Sequence, residues 1–401
     1  MIFRFYSDKH CVIVRYILAI WRTIMKKFAY VLCLSLILTG KAQAEGFDFS
    51  QSGLAGVYYG VMQTRRQNNY DNMPNRLVYR QDGRFEGAYK FVDETRLGAH
   101  ADYTLAFRQH DKDYNDGDWR FYPYALIENP NYGKFTVGYS YNAAQQLHQG
   151  AQDISWIGIQ DSNLPNFLTS ANWVNGLKKT KFASPKSTTI IDDGRAMKFV
   201  YFTPMIGNTK FGFSYTPENA NRRGMVSRYA DYEKNKDGYT AAMQNKWAVG
   251  LGDVYTSAAY GEFNGTDKEW AFGARWIVNN FNVSSSYKKS YIDGNKNKIT
   301  VVSNNPYLPD LFDNYREGQS WDFSIGYKFF DRLKVNFAYL HTEAKNTRNR
   351  DDLYVQANSF EVNKYVELFL INGYINSKGT ERHSKNNNRG YAIISGIALK
   401  Y

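Results

Sequence analysis

The chain has 401 residues, with 50 Lys and Arg against 38 Asp and Glu, a formal net charge of +12. The first 44 residues hold seven of the cations and one acid, Asp8, so half of the excess lies there. The charge left is modest, and with no nucleic-acid-binding motif it argues against nucleic acid as a partner. Cys11 and Cys33 are the two cysteines, which excludes a disulfide framework, a thiol nucleophile or a thiolate metal site after residue 44.

From the N-terminus, Met25-Lys26-Lys27 is a short basic region, Phe28 to Leu38 is apolar, and Ala42-Gln43-Ala44 is a small-x-small site before Glu45. This is the pattern of a secretory signal peptide. Residues 1–24 are read as an over-called extension ahead of a natural start at Met25, residues 25–44 as the signal, and 45–401 as one folded domain. Cys33 follows Leu32, where a lipoprotein anchor needs a small residue. After residue 44 no run approaches 18 apolar residues, so no transmembrane helix is expected. Yet aromatics make up 17% of the chain, including 33 Tyr. Alternating lipid-facing and lumen-facing residues would average to that composition.

Strand patterns then recur between turn signals. The first five fall at 54–64, 76–90, 95–109, 119–128 and 134–141. On the third, Leu97, Ala99, Ala101, Tyr103, Leu105 and Phe107 share one face, and Gly98, His100, Asp102, Thr104, Ala106 and Arg108 the other. A long insertion occupies 142–194. Strands resume at 195–203, 209–216, 238–249, 254–263, 268–278 and 281–291. Trp321, Phe323, Ile325, Tyr327 and Phe329 alternate with polar residues, as do Leu333, Val335, Phe337 and Tyr339. The last three strands are expected at 352–361, 365–375 and 389–401. In the first two of these, apolar residues fall on both faces. In the last, Tyr391, Ile393, Ser395, Ile397, Leu399 and Tyr401 form a large face, and Ala392, Ile394, Gly396, Ala398 and Lys400 a small one.

Sixteen strands is an even number, as single-chain bacterial barrels require. Short turns near 92–94, 129–133, 204–208, 250–253, 279–280, 330–331 and 362–364 alternate with longer polar loops, the loop at 264–267 being a short exception. A soluble sandwich would not sort its loops in this way. Closure also leaves no backbone donor unpaired in lipid. The expected fold is all-β: a 16-stranded antiparallel transmembrane β-barrel.

At Tyr201-Phe202-Thr203-Pro204, Gly207 and Lys210 to Glu218, and again at Asn131 to Tyr139, the chain resembles the general Gram-negative trimeric porins. The resemblance covers the whole chain after residue 44 in strand order. It implies a homotrimer in outer-membrane lipid that passes ions and small hydrophilic solutes passively. Tyr401 stands where that family usually ends in Phe, the terminal aromatic that serves as an assembly signal for the barrel assembly machinery. The family also folds its third loop into the barrel. By that resemblance, 142–194 is an inward-folded constriction loop.

Residues 142–177 of this insertion contain Asp153 and Asp161 and no Lys or Arg. Ile154, Trp156, Ile157, Phe167, Leu168 and Trp173 are apolar anchors for the inner wall. Opposite them, the polar faces of the early strands offer Arg80, Arg84, Arg108 and Arg120. Charged rings select ions, and a transverse field orients polar solutes. That these acids and arginines meet at the constriction is implied by the resemblance. The bland alternative is that they sit on solvated rims or pair structurally. The charge excess points to anion preference.

Tyr103, Phe107, Trp270, Trp276, Trp321, Tyr327 and Phe329 are expected in interfacial girdles. No aromatic row is expected on the lumen side, where a carbohydrate-specific channel would carry one. His100, His110, His148, His341 and His383 are scattered without metal-ligand spacing, no cofactor motif occurs, and His100 is expected to be solvated. His110, Asp111 and Asp113 are the only candidates for a catalytic set. A diffusion channel is therefore the first reading, a substrate-specific channel the second, and a barrel adhesin or enzyme the third.

Overall fold

The computed structural model describes residues 42–44, 46–64, 75–110, 114–151, 172–174, 177–179, 187–190, 193–218, 226–227, 236–265, 267–292, 317–345, 350–378 and 388–401. Of the expected leader only Ala42–Ala44 lies within them, as a short strand folded back on Phe47 to Phe49.

Sixteen long strands form the wall. They are β1 (Phe47–Thr64), β2 (Asn75–Lys90), β3 (Arg96–His110), β4 (Tyr114–Asn129), β5 (Gly133–Tyr139), β6 (Met197–Phe202), β7 (Thr209–Glu218) and β8 (Lys236–Val249). They continue as β9 (Gly252–Phe263), β10 (Asp267–Val278), β11 (Phe281–Ile292), β12 (Gly318–Phe329), β13 (Leu333–Ala344), β14 (Arg350–Asn363), β15 (Val366–Lys378) and β16 (Asn388–Lys400). Each pairs antiparallel with its sequence neighbours, and β16 pairs with β1 from Lys400↔Leu54 to Gly390↔Thr64. The sheet is thus closed into a barrel, with β16 sealed against β1 along its length. No helix among the described residues is long and apolar enough to cross a membrane.

The elements match the alternation in the sequence, with differences at the ends. β1 starts at Phe47, not 54, and β13 runs on to Ala344, past 339. β5 stops at Tyr139 because the chain then turns into the lumen, which leaves the far half of β4 without β5 beside it. Val226–Ser227, from the loop after β7, pairs there with Phe121 and Arg120. A backbone edge is costly to leave bare, and this short strand covers part of it.

The outer face is large and apolar. Trp270, Trp276, Trp321, Tyr327 and Phe329 point outward, as expected for girdle residues. Tyr103 is also on the outer face, half-buried, and the Phe107 side chain lies outside the described set. The inner face is mostly polar, except across β13–β16, β1 and β2. There Leu340, Leu353, Val355, Ile371, Ile375, Ile394, Tyr58 and Val78 form a buried apolar cluster that includes Ala151 of the insertion. This accounts for the two-faced pattern of β14 and β15: their inner side is covered, so both sides avoid water.

Candidate functional site

After Tyr139 the chain enters the barrel through a five-residue helix, α1 (Ala143–Leu147). Asn142 caps it, its Oδ1 accepting from Gln145 N at 2.7 Å. Its Nδ2 donates to Ile190 O at 3.1 Å and to Asp193 Oδ1 at 2.7 Å. One buried side chain therefore ties the entering limb to the returning one. Lys198, fully buried, completes the base: its Nζ donates to Ser140 O and Gly194 O, both at 2.8 Å, and lies 3.4 Å from Asp193 Oδ2. A buried ammonium persists only with such partners. Ala143, Ala144 and Leu147 pack with Ile190, Val200, Phe202 and Phe263.

Both limbs then run along the inner wall of β9–β12. Gln149 N donates to Ser257 Oγ at 2.9 Å, and Arg275 Nη2 donates to Gly150 O at 3.1 Å. Gly273 permits this approach, since a Cβ there would lie 1.8 Å from the Gln149 carbonyl oxygen. On the returning limb Lys288 Nζ donates to Thr189 O at 3.0 Å and Ser320 Oγ to Ser187 O at 2.8 Å. The limbs meet at Asp322. Its carboxylate accepts from Ala151 N at 3.1 Å, Thr188 Oγ1 at 2.5 Å and Ser286 Oγ at 2.5 Å. Beside it the His148 ring has its Nε2 3.4 Å from Thr188 Oγ1. Burial, with the Lys288 and Arg275 cations nearby, pushes the His148 imidazole down to about 4.

The wall eight strands away, β2–β4, is charged. Arg84 Nε lies 2.5 Å from Asp102 Oδ1 and its Nη2 3.2 Å from Oδ2. Arg195, from the returning base of the insertion, binds the same carboxylate. Its guanidinium carbon sits 4.1 Å from the Tyr122 ring centre and 4.4 Å from that of Tyr141, a cation held between two π faces. Glu86 lies 3.6 Å from Arg84 Nη1, 3.8 Å from Arg96 Nη2 and 3.4 Å from His100 Nδ1. Arg80 Nε is 2.7 Å from Asp82 Oδ2.

Arg80, Arg84 and Arg120 thus stand on inward positions of β2 and β4, and Arg108 on an inward register position of β3 opposite Val78. The Arg108 side chain, Asp153, Asp161, the anchors at 154, 156, 157, 167 and 168, and the His110, Asp111 and Asp113 side chains lie outside the described residues. Trp173 falls on Asn172–Val174, whose backbone pairs with Leu177–Lys179. Two expectations are corrected. His100 is buried and not solvated, its ring 5.2 Å from that of Tyr124 and its Nδ1 3.4 Å from Glu86. The lumen face of β4 does carry aromatics, Tyr122 and Tyr124, joined by Tyr141. Strand parity from Arg120 was the signal for the first two. Nothing local marked Arg195 or Asp322.

Tyr401 extends the β16 ladder, exchanging backbone hydrogen bonds with Gly53. Its ring lies over Gly53, where a Cβ would be 2.5 Å from Cζ. Its hydroxyl accepts from Gln81 Nε2 at 2.9 Å and lies 2.7 Å from Tyr103 Oη.

A family model described as Gram-negative porin matches residues 31–380. Among solved structures, the chain is similar to Salmonella typhi OmpF in complex with daunomycin, at 13% identity and a TM-score of 0.56, covering 90% of this chain and all of that one. OmpT, an outer membrane protein of Vibrio cholerae, gives 11% identity and a TM-score of 0.51 over 90% of this chain and 99% of its own. A mutant Rh. blastica porin gives 10% and 0.50 over 88% and 100%. At such identities the likeness is one of fold. No curated protein sequence matches.

Proposed function

The chain belongs to the Gram-negative porin family, and is an outer-membrane β-barrel diffusion channel; from that premise we propose that the field between its β2–β4 arginines and the acids of its inserted loop sets ion selectivity. The observation that carries the reading is the Arg84–Asp102–Arg195 array, facing the lumen on the wall opposite the loop's anchors. Arg80, Arg84, Arg108 and Arg120 supply the positive side, with Arg195 added. Asp153 and Asp161 supply the negative side. Small hydrophilic solutes align in that field as they pass.

Residues 25–44 act as the export signal, and Tyr401 presents the terminal aromatic to the barrel assembly machinery. The working unit is a homotrimer in outer-membrane lipid, and the protein performs no catalysis. The three inward tyrosines support a second reading, in which a planar or sugar-like solute stacks beside Arg195.

Planar-bilayer recording in a salt gradient tests the first reading. Asp153→Asn with Asp161→Asn shifts the reversal potential toward anions, and Arg84→Gln with Arg120→Gln shifts it toward cations. Unchanged reversal potentials in both pairs would place these residues away from the constriction. A solute that blocks the current at low concentration would favour the second reading.

A further inference from the structure

On the periplasmic side the inner face of β2–β7 ends in a row of charge apart from the Arg84–Asp102–Arg195 array. Strand register sets Lys90 opposite Arg96, Arg96 opposite Glu128, Glu128 opposite Lys134, and Lys134 opposite Phe202. Lys210, on β7, reaches over Phe202, its Nζ 5.3 Å from the ring centre. These residues share strand parity with buried inward ones, such as Ala88 before Lys90, Thr136 after Lys134 and Ser214 beyond Lys210. The row lies at strand ends joined by short turns, the periplasmic end of such a barrel.

Four cations therefore face one carboxylate at this level. Lys90, Lys134, Lys210 and Glu128 make no side-chain hydrogen bond or ion pair among the described residues. Glu86 approaches Arg96 at 3.8 Å, beyond hydrogen-bond reach, and is shared with Arg84 at 3.6 Å. Elsewhere around the same mouth Lys246 meets Asp253 at 2.9 Å, Lys334 meets Glu361 at 2.9 Å and Lys400 meets Glu367 at 2.8 Å. The excess of positive charge is thus confined to one sector of the mouth.

Like charges on nearby strands repel, and an anion between them relieves the repulsion. Lys134 and Lys210 flank β6, so two strand spacings, about 10 Å, part their backbones. Both stems are long enough to converge above Phe202. Chloride meets one ammonium head at a time. An oxyanion of two charges presents several oxygens and can take both heads, and the Arg96 fork beside them suits the same geometry. Glu128, between Arg96 and Lys134, weakens the hold, so that the ion leaves again as conduction requires.

We propose that Lys134 and Lys210, with Arg96, form a site at the periplasmic mouth for a phosphate group, free or carried on a small solute. An anion that has crossed the lumen dwells there longer than chloride does. The site requires only that the chain conducts. It stands wherever the constriction lies, so the reversal-potential pairs above can fail without it.

The test records chloride current through single channels of the full chain in planar bilayers at pH 8, with inorganic phosphate added to one chamber at a time. The parent current falls saturably, and the block is stronger from one chamber than from the other. Lys134→Gln with Lys210→Gln raises the half-block concentration about tenfold, and Lys134→Arg with Lys210→Arg retains the block. Lys289→Gln, exposed on the outer face of β11, leaves it parental. The heat-modifiable gel shift of a folded barrel is kept in each variant. A hexose monophosphate is the second probe: tighter block by the ester assigns the site to phosphorylated solutes, tighter block by inorganic phosphate to the free ion. Three results would overturn the site: a current that falls without saturating, equal block from both chambers, or an unchanged half-block concentration in the glutamine pair.

Discussion

Arg195 holds one acid and two phenol rings at once, and Asp102 answers two guanidiniums. Such charges keep fixed positions, so they act on a passing ion as a field rather than as mobile counterions. Arg80, Arg84 and Arg120 were readable because strand parity places them in phase with the polar face. Arg195 was not, since it comes from the far end of an irregular insertion and meets Asp102 across 93 residues of chain. His148, in the inserted loop, sits where burial opposes its protonation. Its ordinary value is about 6.5, and in the fold it stands near 4. An unfolded chain therefore takes up the proton first as pH falls. The contribution is intact above about 6.5, is lost on the way down to 4, and levels off below, on the order of 3 kcal/mol in all. Thermal melts at pH 7.5 and 4.5 in detergent should show a larger drop for the parent than for His148→Gln. Equal drops would remove His148 as a source of acid sensitivity.

At the scale of elements, the insertion is held by the strands it crosses and not by its own periodicity. Asp322 is the junction, with both limbs and β11 donating to one carboxylate. Asp322→Ala removes the acceptor for Ala151 N and for the Thr188 and Ser286 hydroxyls, of which Ser286 keeps Thr188 Oγ1 at 2.6 Å, and should cost about 1–3 kcal/mol. We expect noisier single-channel current and faster proteolysis within 152–186, with the barrel itself intact. Quiet current and parental proteolysis would show that the limbs hold without it. Gly273→Val should produce a related defect by a different route, since its side chain would overlap the Gln149 carbonyl. β14 and β15 show why phase was illegible there. Their inner side is buried under chain, as Ala151 in that cluster indicates, and their outer side mixes Tyr354, Leu368 and Leu370 with three amides. A period-two pattern needs one wet face, and these strands have none.

For the molecule as a whole, closure is the event that matters, and Tyr401 sits at the seam. Its hydroxyl joins β16 across β1 to Gln81 on β2 and Tyr103 on β3. A terminal Phe would keep the ring over Gly53 and lose these bonds. Tyr401→Phe should lower the urea midpoint of the folded barrel by an amount worth about 1–2 kcal/mol, with an unchanged denaturant slope. An unaltered midpoint would show that the hydroxyl adds nothing to closure. By itself the sequence determined the strand number, the side of the wall each residue faces on most strands, and the sorting of short turns from long loops. These follow from alternation and turn chemistry, which are local. Only the tertiary structure decided which strands carry the inserted loop, which cation joins Asp102, and why two strands are apolar on both sides. Those depend on contacts between residues 93 or more positions apart, as from Asp102 to Arg195 or Thr188 to Asp322, and no periodicity along the chain records what will lie across the lumen.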